Sequence, residues 1–143
     1  MTPEQKGLIR SSWSTVATDA DGFVARFYTH LFAIDVTAGR LFAGTDMPAQ
    51  RKKVAQTFGV VVHALDDLDS IVPAVAALGA KHAQYGVEQR HFDSVGQALV
   101  AAFADTLGGG FTADVRSAWV DAYGILSSVM QQALRDATPA TQT

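Results

Sequence analysis

Apolar side chains recur along this chain at intervals of three and four residues, the spacing of one face of an α-helix. Thr2-Pro3-Glu4-Gln5 predicts the first helix start: threonine caps, proline suits the first turn, and Gln5 completes a capping box. Ile9, Trp13 and Val16 then mark one face. Asp19 or Asp21 opens a second helix, in which Phe23, Phe27 and Leu31 form a stripe and Tyr28 lies at its border beside Val24. Residues 34–42 read as a tight helical turn ending in Leu41-Phe42, and residues 43–48 as a loop. A third long helix covers residues 48–65. Its Val54, Phe58, Val61 and Leu65 fall within roughly 60° of arc, and Gln50 sits one turn before Val54 at the edge of the same face.

Asp66-Asp67-Leu68-Asp69-Ser70 breaks the pattern, and Ser70 is placed to cap a shorter helix bearing His82. Counting back from His82, Leu78, Val75 and Ile71 again share roughly 60° of arc, a stripe expected to face the interior. Beyond Gly86, the residues Phe92, Val95, Leu99, Ala102 and Phe103 pattern another helix, stopped by Gly108-Gly109-Gly110. Thr112 starts the last, with Val115, Trp119, Ala122, Leu126, Val129 and Ala133 on its buried face. No stretch alternates with the period of a strand. The pattern predicts one all-α domain of six to eight helices over residues 1–135, then a small, polar, frayed tail at residues 136–143.

At 143 residues the chain is long enough for one sizeable core. Its net charge of −3 gives no electrostatic footprint for nucleic acid, and no run of 18 apolar residues predicts a membrane span. The first residues do not read as a signal peptide, so a soluble, cytoplasmic protein is expected. The absence of cysteine removes disulfides, thiolate metal sites and thioether-linked haem.

His82 carries the most suggestive chemistry. A neutral imidazole held on a helix is a good axial ligand for haem iron. The alternative is a core histidine bonded to a backbone carbonyl. Tyr28 and Gln50 are polar groups at the borders of apolar stripes on two different helices, where a bound polar ligand or each other would satisfy them. His30, His63 and His91 are expected to face solvent. Asp66, Asp67 and Asp69 lack the spacing and closing glutamate of a calcium loop. Gly108 to Gly110 lack the lysine and serine of a phosphate loop, and no serine near His82 suggests a catalytic triad. The basic run Arg51-Lys52-Lys53 reads as a solvated face that could also meet anionic groups at a pocket mouth.

From Ile9 to Met130 the chain resembles a single-domain bacterial globin. The resemblance rests on Phe27-Tyr28-Thr29-His30-Leu31-Phe32, Leu41-Phe42, Gln50 to Val54, and Leu78-Gly79-Ala80-Lys81-His82 with Tyr85-Gly86-Val87. It continues through His91-Phe92, Val95-Gly96, Ala118-Trp119 and Ala122-Tyr123-Gly124. The pattern is most similar to flavohaemoglobin haem domains and neuroglobin-like bacterial globins, including the thermophilic-methanotroph type with a tyrosine–glutamine pair. The resemblance implies a three-over-three helical sandwich around a non-covalent haem b, with His82 as the proximal iron ligand and Phe42 stacked on the porphyrin. It places Tyr28 and Gln50 at the sixth coordination position beside Val54; a gap placed elsewhere in the alignment would put Lys52 there instead of Gln50. Lys53, Leu78, Tyr85, Val87, Phe92, Val95 and Tyr123 complete the set expected to line the haem.

Two departures alter what the resemblance implies. Flavohaemoglobins support the proximal histidine with a tyrosine and a glutamate, where this chain has Phe92 and Leu134, so strong peroxidase-like activation of oxygen is not expected. Flavin and NAD modules are missing, so turnover would draw on an outside reductase. The implied function is binding of oxygen, NO and CO at ferrous iron, with Tyr28 and Gln50 slowing oxygen release. A nitric-oxide dioxygenase or nitrite-reducing enzyme is the alternative; a haem-free helical domain is the third, and it leaves His82, Phe42 and the polar pair unexplained. The sequence carries no signal of oligomeric state.

Overall fold

The computed structural model describes residues 1–137, which form seven α-helices and three short 3₁₀ segments, with no strand among them. The helices are α1 (Pro3–Val16), α2 (Ala20–Ile34), α3 (Val36–Arg40), α4 (Met47–His63), α5 (Val72–Gln84), α6 (Gln89–Leu107) and α7 (Ala113–Ala137). Helix α1 begins as its sequence dictates: the Thr2 hydroxyl accepts the Gln5 N–H at 3.1 Å, and the Gln5 side chain accepts the Thr2 N–H at 3.0 Å. Asp19, rather than Asp21, caps α2 through the Gly22 N–H. Asp35 caps α3 and Asp46 caps α4.

Helices α1, α4 and α5 lie over α2, α6 and α7, a three-over-three sandwich. Its main seams are α5 on α7, α2 on α6 and α1 on α7. The core is aromatic. Phe103 stacks on Trp119 at 4.4 Å between ring centres and meets Phe23 at 4.6 Å, while Trp13 stacks on Phe58 at 5.4 Å. The Trp119 indole N–H is satisfied by the buried Ser12 hydroxyl at 2.9 Å. The stripe Phe23, Phe27 and Leu31 is buried, and Tyr28 is buried with it.

Two expectations are corrected. Ser70 does not cap the helix of His82: residues Leu68–Ile71 form a 3₁₀ segment, and the Ser70 hydroxyl donates back to the Asp67 carbonyl. Ile71 falls in that segment, where helical spacing no longer applies, so the four-residue stripe shrinks to the part on α5. Of that part Val75 is buried, but Leu78 is 37% exposed. Helix α7 runs to Ala137, two residues beyond the expected boundary; the rest of the expected tail, residues 138–143, lies outside the described residues. Among the described residues no helix is long and apolar enough to cross a membrane.

Candidate functional site

Tyr28 is brought to its place by the apolar face of α2, which buries Val24, Phe27 and Leu31 around it. Only 5% exposed, its ring lies 5.2 Å from Phe42 and 5.6 Å from Phe32, and Phe32 lies 5.6 Å from Phe42. The phenol oxygen accepts a hydrogen bond from Gln50 Nε2 at 3.2 Å. Gln50 is half-buried in the first turn of α4, and Val54, one turn on, packs against the core. Burial pushes the Tyr28 pKa up, more than the Gln50 bond lowers it, so the phenol keeps its proton at neutral pH. That proton has no acceptor among the described residues, because Gln50 is the donor in the shared bond. A buried, oriented O–H is left free to donate.

His82 stands at the end of α5, where the chain closes on itself. The Val87 N–H donates to the His82 carbonyl at 3.1 Å and the Gly86 N–H to the Ala83 carbonyl at 3.3 Å, with Gly86 at φ +82°. This is a Schellman closure, and its left-handed position suits glycine. One turn earlier Gly79 lets α5 approach α7 closely: a Cβ there would lie 2.4 Å from the Met130 carbonyl oxygen. The His82 Nδ1 is hydrogen-bonded to the Leu78 carbonyl. A carbonyl only accepts, so the proton is on Nδ1 and the Nε2 lone pair is free. Among the described residues no buried side-chain N or O lacks a partner, so this free Nε2 is accessible. A helical imidazole with Nδ1–H anchored on a carbonyl and Nε2 open is the donor arrangement of a metal-ligating histidine, and it fits haem iron.

Around His82 the ring of Phe92 is buried at 6.5 Å and that of Tyr85 lies at 6.2 Å but is 60% exposed. Leu78, one turn before His82 on α5, is partly exposed as well. Phe92 is held from behind by the Tyr123 O–H, which donates to its carbonyl at 2.6 Å. Burial, with the charge of Asp93 second, raises the Tyr123 pKa and keeps that donor protonated. Val87 is half-buried, and Val95 and Tyr123 pack against the core. Leu134 is buried on α7. Leu41, the neighbour of Phe42, reaches to 3.6 Å from where a Gly86 Cβ would stand, so the turn carrying Phe42 lies near the turn after His82. Lys52 and Lys53 are exposed on α4, while Arg51 pairs with Asp21 at 2.9 Å.

His91 overturns its expected solvent role. It is 4% exposed, with Nδ1 accepting the Glu88 N–H at 2.8 Å and Nε2 3.0 Å from the Thr37 hydroxyl. Sequence placed it at a helix start, where exposure is usual, but its long-range partner, Thr37, lies 54 residues away on α3. Asp35 accepts from the Thr37 hydroxyl, from Ser94 Oγ at 3.0 Å, and from the Thr37 and Ala38 N–H groups. The Thr37 hydroxyl bond is the largest reason that its carboxyl is lowered to about 2. His30 is half-buried and pairs with Asp105, whereas His63 is exposed as expected.

The globin family model matches residues 25–130, a span that takes in both the Tyr28 and the His82 clusters. The chain belongs to the globin family. This globin is 29% identical to a flavohemoprotein of Bacillus subtilis (strain 168) over 122 residues, covering 84% of the chain but 31% of the relative. Against neuroglobin of Danio rerio it is 29% identical over 143 residues, covering 91% of the chain and 90% of the relative. Against anaerobic nitrite reductase NSHB5 of Oryza sativa subsp. indica it is 24% identical over 138 residues, covering 93% and 95%. The globin thus spans about a third of the flavohemoprotein and nearly all of the other two.

Proposed function

We propose that this globin binds haem b non-covalently through His82 and takes oxygen, and other diatomic gases such as NO and CO, at the ferrous iron. The accessible Nε2 of His82, opposite an Nδ1 anchored on the Leu78 carbonyl, is the observation that carries the reading. Held through His82, bound haem would supply a ferrous iron able to take a diatomic gas. Leu78, Tyr85, Val87, Phe92 and Val95 supply an apolar wall on the His82 side; Phe42 and Val54 do so near Tyr28, and Lys53 is available to an anionic propionate at the edge.

Tyr28 is the direct hydrogen-bond donor to the gas. Gln50 orients that phenol and, by donating to its oxygen, polarises the O–H; its second amide hydrogen is available to the ligand as well. The pair supports placement with the tyrosine–glutamine subtype of bacterial globins. A hydrogen bond to a ligand that has gained negative charge is worth roughly 1.5–3 kcal/mol, one to two decades in release rate. Tyr28→Phe therefore releases oxygen at least about tenfold faster by stopped-flow displacement with CO. An unchanged rate removes the tyrosine from this role. The cofactor itself is tested by visible spectra of the ferric, dithionite-reduced and CO-treated protein. A Soret band that shifts at each step, and is lost or altered in His82→Ala, is expected. A colourless protein that takes up no added haemin refutes the reading.

A second reading, nitric-oxide dioxygenase or nitrite reduction with a separate reductase, draws support from the relatives named flavohemoprotein and anaerobic nitrite reductase. Slow gas release would suit it. Rapid NO consumption by the oxygen-loaded protein, sustained on adding a reductase, favours that enzyme over a simple binder.

A further inference from the structure

The hydrogen-bonded chain Asp35–Thr37–His91, buried at His91 and half-buried at its other two members, is not used by the gas-binding reading, yet it joins the two segments that flank the site. Its hydrogens can be assigned by counting. The Thr37 hydroxyl has one hydrogen and gives it to Asp35 Oδ1, so His91 Nε2–H must be the donor to Thr37 Oγ1. His91 Nδ1 already accepts from the Glu88 N–H. The imidazole is therefore neutral, with both nitrogens engaged in opposite senses. Asp35 extends the chain by capping α3 and by accepting from Ser94 on α6.

What lies at each end gives the chain its consequence. Helix α3 leads directly into Leu41-Phe42, and Phe42 packs on Tyr28. Glu88 follows Val87, whose N–H is bonded to the His82 carbonyl, and Phe92 follows His91 with its ring beside that of His82. Leu41 lies near Gly86 between the same two segments; apolar proximity is non-directional, whereas the hydrogen-bonded chain fixes register. Resting on the haem reading, we propose that His91 is a positioning residue for the iron ligand: through Thr37 and Asp35 it locks the turn bearing Phe42 to the segment bearing Val87 and Phe92, and so sets the seat of His82.

Three substitutions at one position separate this role from simple helix capping. His91→Leu removes both bonds, His91→Asn keeps the acceptor for the Glu88 N–H, and His91→Gln keeps the donor to Thr37. On haem-loaded protein, haem transfer to excess apomyoglobin is expected to quicken about tenfold in the Leu and Asn variants and by less than about threefold in Gln, the scale of one net buried hydrogen bond. The iron–histidine stretching frequency of the ferrous protein shifts in the same two variants, which a change in overall stability alone would not produce. Thr37→Val cuts the link from the other end without touching α6. It keeps the test open if His91→Leu does not fold. In the haem-free protein it should speed amide hydrogen exchange at residues 87–92 by about tenfold, although the change lies on α3.

Haem loss and exchange that match wild type in Thr37→Val, or a His91→Asn variant that behaves as wild type while Gln does not, overturn the positioning role. A wild-type protein that takes up no haemin overturns the haem reading, and the positioning role with it. Coloured wild type with unaffected variants overturns the positioning role alone.

Discussion

Gly79→Ala puts a sign on the account of how His82 is held. In an unobstructed helix the change stabilises, because alanine exceeds glycine in helix propensity by about 1 kcal/mol. Here the added carbon would stand 2.4 Å from the Met130 carbonyl oxygen and 2.7 Å from its Cα. Carbon–oxygen contacts are comfortable near 3.4 Å, so α5 and α7 must separate by roughly 1 Å. The obstructing atoms are backbone and cannot rotate away. Overpacking costs about 1–3 kcal/mol, and a rigid obstacle puts this case at the upper end, for a net loss of about 1–2 kcal/mol. Gly7→Ala supplies the opposite sign: Gly7 lies inside α1 with nothing within 4 Å of an added Cβ, so it should gain up to about 1 kcal/mol. Urea unfolding followed by far-UV circular dichroism, both variants against wild type in the same haem state, measures the two. A Gly79→Ala protein as stable as Gly7→Ala would show that α5 does not depend on close approach to α7.

Two further outcomes follow from hydrogen-bonded polar groups. The Asp35 carboxyl is held at about 2 in the folded chain against an ordinary 3.8, so its ionised form stabilises the fold above the unfolded value. That contribution is lost as pH falls from about 4 to about 2; the stability difference between wild type and Asp35→Asn, from urea midpoints, should shrink across that window, and a constant difference refutes it. Ser12→Ala removes the acceptor for the buried Trp119 N–H and should cost about 1–3 kcal/mol in the same assay, since an orphaned donor loses its full solvation; a loss near zero would mean that water or another acceptor replaces the hydroxyl.

Local signals were readable where one helix supplies both the residue and its surroundings. Thr2 with Gln5, Asp19 before α2, and the Phe23–Phe27–Leu31 stripe are each decided within a turn or two of chain, and the structure has them as the pattern predicts. The Tyr28–Gln50 bond was foreshadowed because both residues sit at stripe edges that must be satisfied on burial. His91 was misread for the converse reason: its burial comes from Thr37 and Asp35, and nothing within its own turn announces them. Ser70 was misread because a cap presupposes that the helix starts directly after it, whereas the chain first spends residues Leu68–Ile71 on a 3₁₀ segment. The same segment carries Ile71 out of register with His82. Gly79 was legible as part of a motif but not as a contact, since Met130 lies 51 residues further on (130 − 79).

The two halves of the candidate site are therefore held by different physics. Tyr28 rides on α2, which buries five residues, four of them wholly apolar, so its position is fixed by the core itself. Helix α5 buries only Val75 and Gly79. What seats His82 is the glycine approach to α7, the Schellman closure at Gly86 and the bond from Nδ1 to the Leu78 carbonyl, with little apolar area behind them. An element with few buried apolar side chains, even one closely apposed to its neighbour, opens at low free energy. Under the proposed function, a ligand that bonds His82 and covers Leu78 and Tyr85 binds the ordered form of α5 and not the open one, and so stabilises it by mass action. Binding and the order of α5 are then one equilibrium, and residues that act on the seat of His82 act on cofactor retention before they act on the fold.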